Sequence, residues 1–354
     1  MGVVERIDGF QRRHPVIGLP LAVIYKFFDD QGNFLAATLT YYAFVAIFPL
    51  MLLGSSILGL VLEGRPEWQD AILNSALSQF PIIGDELGRP EGLQGSFLGI
   101  AVGFLAALYG SMGLGQALQN AQHVAWSVPR NSRPNPFYSR LKTLMLLTTA
   151  GTSLLAVTVV TTLLSATEVF GSQINAGIRM LIPIVTVLVV GCGLTLLLRV
   201  AAAGQRSFRR AAPGGFTLAI LWQLLQYGGT YYVDRVLVGT SSMTKTFGLV
   251  LGLVGFIFIG AVMAMLSIEV NVVVARRLYP RALLTPFTDA VQPTHADRRA
   301  YASYARAQRH KGWERIQVTF DPNGANGNGS TPSDGSAPSD GSAAAEPPEP
   351  ARGP

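Results

Sequence analysis

The sequence predicts an all-α fold, a polytopic six-helix transmembrane bundle with interfacial helices and a disordered C-terminal tail. Two observations predict it. Six uncharged, predominantly apolar stretches occupy Gln31 to Leu62, Gly92 to Pro129, Thr143 to Thr167, Met180 to Leu198, Ala211 to Val233 and Thr246 to Ile268. Each can cross a hydrocarbon core about 30 Å thick, for which a helix needs about 20 apolar residues. The segments between them alternate between rich and poor in Arg and Lys, and short basic loops are retained on the cytoplasmic side of a membrane. The chain accordingly divides into a cytoplasmic N-terminal segment with an interfacial helix (1–33), a transmembrane domain (34–280), a basic cytoplasmic region (281–320) and a disordered tail (321–354).

At the N-terminus, Met1 to His14 is polar and has no short apolar core of the kind a secretory signal carries, so the first apolar stretch itself is expected to direct insertion. Between Leu19 and Asp30 the run of Leu21, Val23, Ile24, Tyr25, Phe27 and Phe28 is apolar but too short to span, and Lys26, Asp29 and Asp30 interrupt it. An interfacial helix on the cytoplasmic leaflet fits this pattern.

The basic residues then set the orientation. Arg6, Arg12, Arg13 and Lys26 precede the first stretch, whereas the loop after it holds only Arg65 and Arg89 among six acidic residues. That loop reads as outside, and Trp68, Ile72, Leu73, Ala76 and Phe80 within it are spaced for an amphipathic helix from Pro66 to Gln79. The second loop carries Arg130, Arg133, Arg140 and Lys142 with no acid, the third only Arg179, the fourth Arg199, Arg206, Arg209 and Arg210, and the fifth Arg235 and Lys245. Both termini are expected in the cytoplasm. Beyond the last stretch, Thr294 to Glu314 mixes five basic residues with Tyr301, Tyr304 and Trp313, a helical pattern with a Thr start that reads as a solvated or membrane-surface helix. From Asp321 onward Gly, Asn, Ser, Pro, Ala and Asp dominate, a composition that cannot bury enough apolar surface to fold.

The net charge of +6 and pI near 9.6 admit a nucleic-acid partner in principle. Topology accounts for the excess instead, because the cations are spread over loops at one membrane face, where they meet anionic headgroups. Membrane lipids, anionic ones included, are therefore the expected partners, with a homo-oligomer or envelope proteins as further candidates, and nucleic acid is not expected. The single cysteine, Cys192, excludes an intramolecular disulfide and any C-x-x-C site. No metal or other cofactor is expected.

Polar residues within the apolar stretches are the candidate functional groups, since an ionisable side chain at bilayer depth costs at least about 2.5 kcal/mol unless paired or wet. Glu269 lies seven residues before Arg276, roughly 10 Å inside the boundary at about 1.5 Å per residue, with Asn271 beside it. It suits either an interhelical hydrogen bond or a proton or substrate site. Gln223, Gln226 and Tyr227 share one helix face at i, i+3 and i+4. These five residues form the expected substrate site, in a cavity between the first, fifth and sixth stretches. Gly110, Gly113 and Gly115 read as a loosened end of the second stretch and lack the Gly-Lys-Ser/Thr ending of a phosphate loop.

Leu35-Ala-Ala-Thr-Leu-Thr-Tyr-Tyr-Ala-Phe followed by Phe48-Pro-Leu resembles the BrkB/YihY family of bacterial inner-membrane proteins. The resemblance continues through Ala117, Asn120, Trp126, Arg130, Pro213-Gly-Gly, Trp222 and Ile268-Glu-Val-Asn, over roughly residues 10 to 285. Ser267 stands where the family often has glycine. The resemblance implies a multi-pass protein of the bacterial inner membrane, once labelled ribonuclease BN and linked to serum resistance, without a settled activity. The nuclease label does not fit the residues: His14, His123, His295 and His310 are scattered over loops without ligand spacing.

No Ser/His, paired-Asp or H-E-x-x-H constellation is present, so an enzyme is not expected. A transporter or lipid translocator of the envelope ranks first, and a non-catalytic scaffolding membrane protein second. Truncation after Phe320 is expected to leave helical content and melting temperature of the detergent-solubilised protein unchanged. Circular dichroism melts check this, and a drop of several degrees would show that the tail packs against the rest.

Overall fold

The computed structural model describes residues 9, 15–61, 97–170, 176–202, 207–232, 242–282 and 291–320, and among them the regular structure is entirely helical. The helices are α1 (Pro15–Asp29), α2 (Gly32–Val61), α3 (Phe97–Ala125), α4 (Pro136–Phe170), α5 (Ala176–Ala201), α6 (Phe208–Tyr232), α7 (Ser242–Arg276) and α8 (His295–Ala307), with a 3-10 turn at Arg130–Ser132. The predicted outer helix from Pro66 to Gln79 and the tail from Asp321 lie outside the described residues.

Helices α2 to α7 are each 25 to 35 residues long and coincide with the six apolar stretches. Among the described residues, Ile184–Ala201 in α5 and Val250–Arg276 in α7 are by themselves long and apolar enough to cross a membrane, with mean hydropathies of 2.3 and 2.5; Gly32–Ile47 in α2 is a shorter apolar stretch. Each of the six packs on the next in sequence, and α7 returns to pack on α2, closing a ring. The ring is apolar on its outside as well as within. Phe104, Leu105, Leu154, Leu155, Leu188, Leu224 and Leu251 are all exposed, the reverse of the single apolar stripe of a helix in a soluble bundle.

Small residues set the helix spacing. A Cβ built on Gly110 would stand 2.8 Å from the Ala46 backbone, one on Gly113 2.1 Å from the Tyr42 ring, and one on Gly115 2.5 Å from Thr143 Cγ2. The loosened stretch expected at these glycines is thus an uninterrupted part of α3, clasped between α2 and α4 because the missing side chains admit close approach. Pro213-Gly-Gly does the same for α6. A Cβ on Gly215 would meet Thr195 of α5, and one on Gly214 would lie 2.2 Å from the Ser267 carbonyl oxygen of α7.

Three helices stop at one end of the ring on non-glycine residues with positive φ: α1 at Gln31 (55°), α3 at Ser127 (46°) and α7 at Arg277 (51°). The last two are Schellman closures. Val128 N donates to His123 O at 2.8 Å and Leu278 N to Val273 O at 3.0 Å. Leu278 is buried, the apolar contact that accompanies such a stop.

The basic C-terminal pattern folds as α8, capped as its Thr start predicts. Thr294 Oγ1 accepts from Asp297 N while Asp297 Oδ2 accepts from Thr294 N at 2.9 Å. It is not solvated all round, however: Ala296, Asp297 and Ala300 are buried. Helix α1 likewise packs on α7 and α2, burying Ala22, Val23, Tyr25, Lys26 and Phe27 while Ile24 and Phe28 remain exposed.

Gly214→Ala forces the α6–α7 contact apart, so a loss of about 1–3 kcal/mol is expected from overpacking. Gly255→Ala meets nothing within 4 Å and should leave stability unchanged or raised. Parallel thermal melts of the two variants in detergent check this, and equal melting temperatures would refute the close approach at Gly214.

Candidate functional site

Buried charge gathers where α1, α7 and α8 meet. Lys26 is 1 % exposed although it was read as an interruption of an interfacial helix, and Glu269 of α7 is 0 % exposed. Lys26 donates to Asp30 Oδ2, one turn further along, and its Nζ stands 3.2 Å from Glu269 Oε2. The second contact is an ion pair without hydrogen-bonding alignment, so neither Glu269 oxygen accepts a hydrogen bond. The Tyr304 ring of α8 covers the ammonium, its centroid 5.3 Å from Nζ.

Burial pulls Lys26 toward losing its proton, but Glu269, Asp30 and Tyr304 together outweigh that and hold it above the ordinary lysine range. It therefore stays charged. Burial pushes Asp30 above the usual carboxylate range, against the pull of Lys26. Two carboxylates thus share one buried ammonium.

Arg281, just past α7, builds a second pairing beside the first. Its Nε donates to Asp297 Oδ1 and its Nη1 to Asp29 Oδ2, both at 2.8 Å, and Ala282 N donates to Asp297 Oδ2 at 2.8 Å. Tyr304 OH adds a longer bond of 3.4 Å to Asp29 Oδ2. Asp297 therefore serves both as half of the α8 capping box and as the buried partner of Arg281. This network joins residues near the start of the chain to residues some 250 positions later.

Of the predicted site residues, the structure brings Glu269 and Asn271 to this end of the ring. Asn271 Oδ1 accepts from Gly214 N at 2.7 Å, tying α7 to the second turn of α6. Gln223, Gln226 and Tyr227 lie further along α6; Gln226, twelve residues past Gly214, is roughly 18 Å away along the axis. Gln223 and Gln226 are half-buried, and Tyr227 is exposed on the outside of the ring. The five do not form one cluster.

A cavity of about 390 Å³ lies inside the ring, within the range of about 300–1,000 Å³ usual for small-molecule sites. Every helix of the ring contributes to its wall, through Leu39, Leu114, Leu146, Leu197, Trp222 and Phe256. The wall is almost wholly apolar, and none of the five predicted residues lines it. A second cavity, of about 430 Å³ and polar, lies at the charged end of the ring, with Asp29, Asp30, His123, Arg133 and Tyr304 in its wall.

The sequence reading missed Lys26, Asp30, Arg281, Asp297 and Tyr304. The available signal was Lys26 and Asp30 at i, i+4 within an apolar run, a spacing that places an ion pair on one helix face. Among the described residues, no group of three or more His, Cys, Asp or Glu side chains is placed to hold a metal ion.

Removing one partner of a buried pair leaves the other charge uncompensated, so Lys26→Met is expected to cost about 3–5 kcal/mol. Combining it with Glu269→Met should recover part of that loss, Asp30 remaining. A double-mutant cycle by thermal unfolding measures the coupling, and strictly additive losses would show that the two residues do not interact.

A family model described as virulence factor BrkB matches residues 23–289 of the chain. No curated protein and no solved structure matches it.

Proposed function

From a chain that belongs to the virulence factor BrkB family, and is therefore a membrane protein, we propose a lipid-handling role in which the ring of α2 to α7 takes up an acyl chain. The observation that carries this reading is the apolar cavity within the ring. In a protein whose exterior is also apolar, such an interior offers hydrocarbon the same solvent quality as the bilayer. Entry then costs an acyl chain little beyond its ordering. The polar and charged end of the ring suits the headgroup of the same lipid.

In this reading α2 to α7 all cross the bacterial inner membrane. The second and fourth loops, α1, α8 and both termini lie on the cytoplasmic side, following the alternation of Arg and Lys along the chain. The role is non-enzymatic and uses no cofactor. The Lys26–Asp30–Glu269 cluster holds α1 on α7 and so fixes the floor of the ring, and its one carboxylate in excess of ammonium lets it carry a proton. Gln223, Gln226 and Asn271 remain candidates for polar contact with substrate along α6 and α7; Tyr227, on the outside of the ring, would meet lipid in the surrounding bilayer.

The test is transbilayer movement of fluorescent phosphatidylglycerol in vesicles holding the purified protein, compared with Ala264→Phe, which places a ring in the cavity wall. Movement faster than in protein-free vesicles, falling to near the protein-free rate in the variant, is the expected result. Movement unaffected by filling the cavity would remove the cavity from the pathway. No movement with either protein would favour the scaffolding role instead.

A further inference from the structure

We propose that the polar cavity at the charged end of the ring binds a phosphate group, held by His123, Arg130 and Arg133. All three line it, together with Asn120 and Gln308. His123 sits in the last turn of α3 and is 6 % exposed, yet its Nε2 has no hydrogen-bond partner. An unmet buried polar atom costs about 1–3 kcal/mol, so a group that supplies a partner at this nitrogen binds with that cost removed. A phosphate does so in either protonation state, through P–O or P–OH.

The arginines supply the charge. Arg133 donates from Nε to Val128 O and from Nη1 to Asn120 Oδ1, both at 3.4 Å, long contacts to neutral acceptors. Among the described residues neither Arg130 nor Arg133 is paired with a carboxylate. The acids on the facing wall are committed elsewhere, Asp30 to Lys26 and Asp29 to Arg281. Two guanidinium groups without carboxylate partners therefore line the cavity beside a buried imidazole. Guanidinium forks match phosphate oxygens two at a time, which a single ammonium cannot do.

The 3-10 turn at Arg130–Ser132 holds the arrangement in place. Asn131 N donates to Arg309 O at 3.2 Å, fastening the turn to the segment after α8. The positive-φ stop at Ser127 turns the chain so that Arg130 and Arg133 come back beside His123. The site stands whether or not the apolar cavity takes an acyl chain, since no residue lines both.

The phosphate is either free or part of a lipid headgroup, and one experiment separates the two. The full-length protein in mild detergent is titrated with inorganic phosphate and, separately, with short-chain phosphatidylglycerol, with bound mass followed by native mass spectrometry and stabilisation by thermal melts. Saturable binding, at least tenfold weaker in Arg130→Gln/Arg133→Gln, is expected. Binding of the lipid alone assigns a headgroup, and binding of both assigns the phosphate itself. Arg130→Gln alone, at an exposed position, is the control should the double variant not fold, and it should weaken binding several-fold. Absence of binding by both probes, or equal binding by wild type and variants, would overturn the proposal.

Discussion

The buried ammonium of Lys26 is the constraint on which the charged end of the molecule depends. A charge this deep is tolerable only when opposite charges stand close, because desolvation of an isolated ion costs several kcal/mol. Its partners come from the residue just past α1, Asp30, and from α7, as Glu269. Satisfying one side chain therefore fixes where α1 lies on α7, and α7 is the helix that closes the ring onto α2. Arg281 repeats the solution with Asp29 and Asp297, so that α8 is held to the same place. Such pairs are weak evidence for stability, since an apolar replacement of the whole group can be equally stable.

Packing within the ring follows a different rule. Lipid tails are as apolar as the helix surfaces, so side-chain hydrophobicity does not favour helix contact over lipid contact. Close approach does, and it is concentrated at residues lacking a side chain: Gly110, Gly113 and Gly115 on α3, Gly214 and Gly215 on α6. Gly214, against Ser267 and Asn271, lies toward the charged end, whereas Gly115 and Ala46, which Gly110 meets, border the apolar cavity. Trp222 and Phe256, whose rings meet edge to face at 5.8 Å, line the same cavity from α6 and α7.

Helix termination completes the arrangement. Gln31, Ser127 and Arg277 each adopt positive φ without being glycine, a conformation that costs roughly 1–2 kcal/mol for an L-residue. Surrounding contacts offset this. Ser303 Oγ of α8 donates to Ser127 Oγ at 3.3 Å and Arg299 Nη2 to Arg277 O at 2.7 Å. The stops bring the ends of α1, α3 and α7 to one level, which is what creates a polar cavity bounded by the end of α1, the end of α3, the Arg130 turn and α8.

By itself the sequence determined the helical class, the six long helices and the basic segments between them, because apolar length and charge placement are local properties that each segment carries alone. It also marked Glu269 and Asn271, since an acid and an amide inside apolar runs are conspicuous without any partner. Tertiary structure alone decided what they touch. Lys26 read as an interruption of an interfacial helix because its partner Glu269 is more than 240 residues away, and no spacing rule reaches that far. His123 read as a scattered loop histidine for the same reason: its burial and open nitrogen depend on where α3 stops and how the Arg130 turn packs. Gly110, Gly113 and Gly115 read as loose because a missing side chain looks like freedom until a neighbouring helix is seen to fill its place.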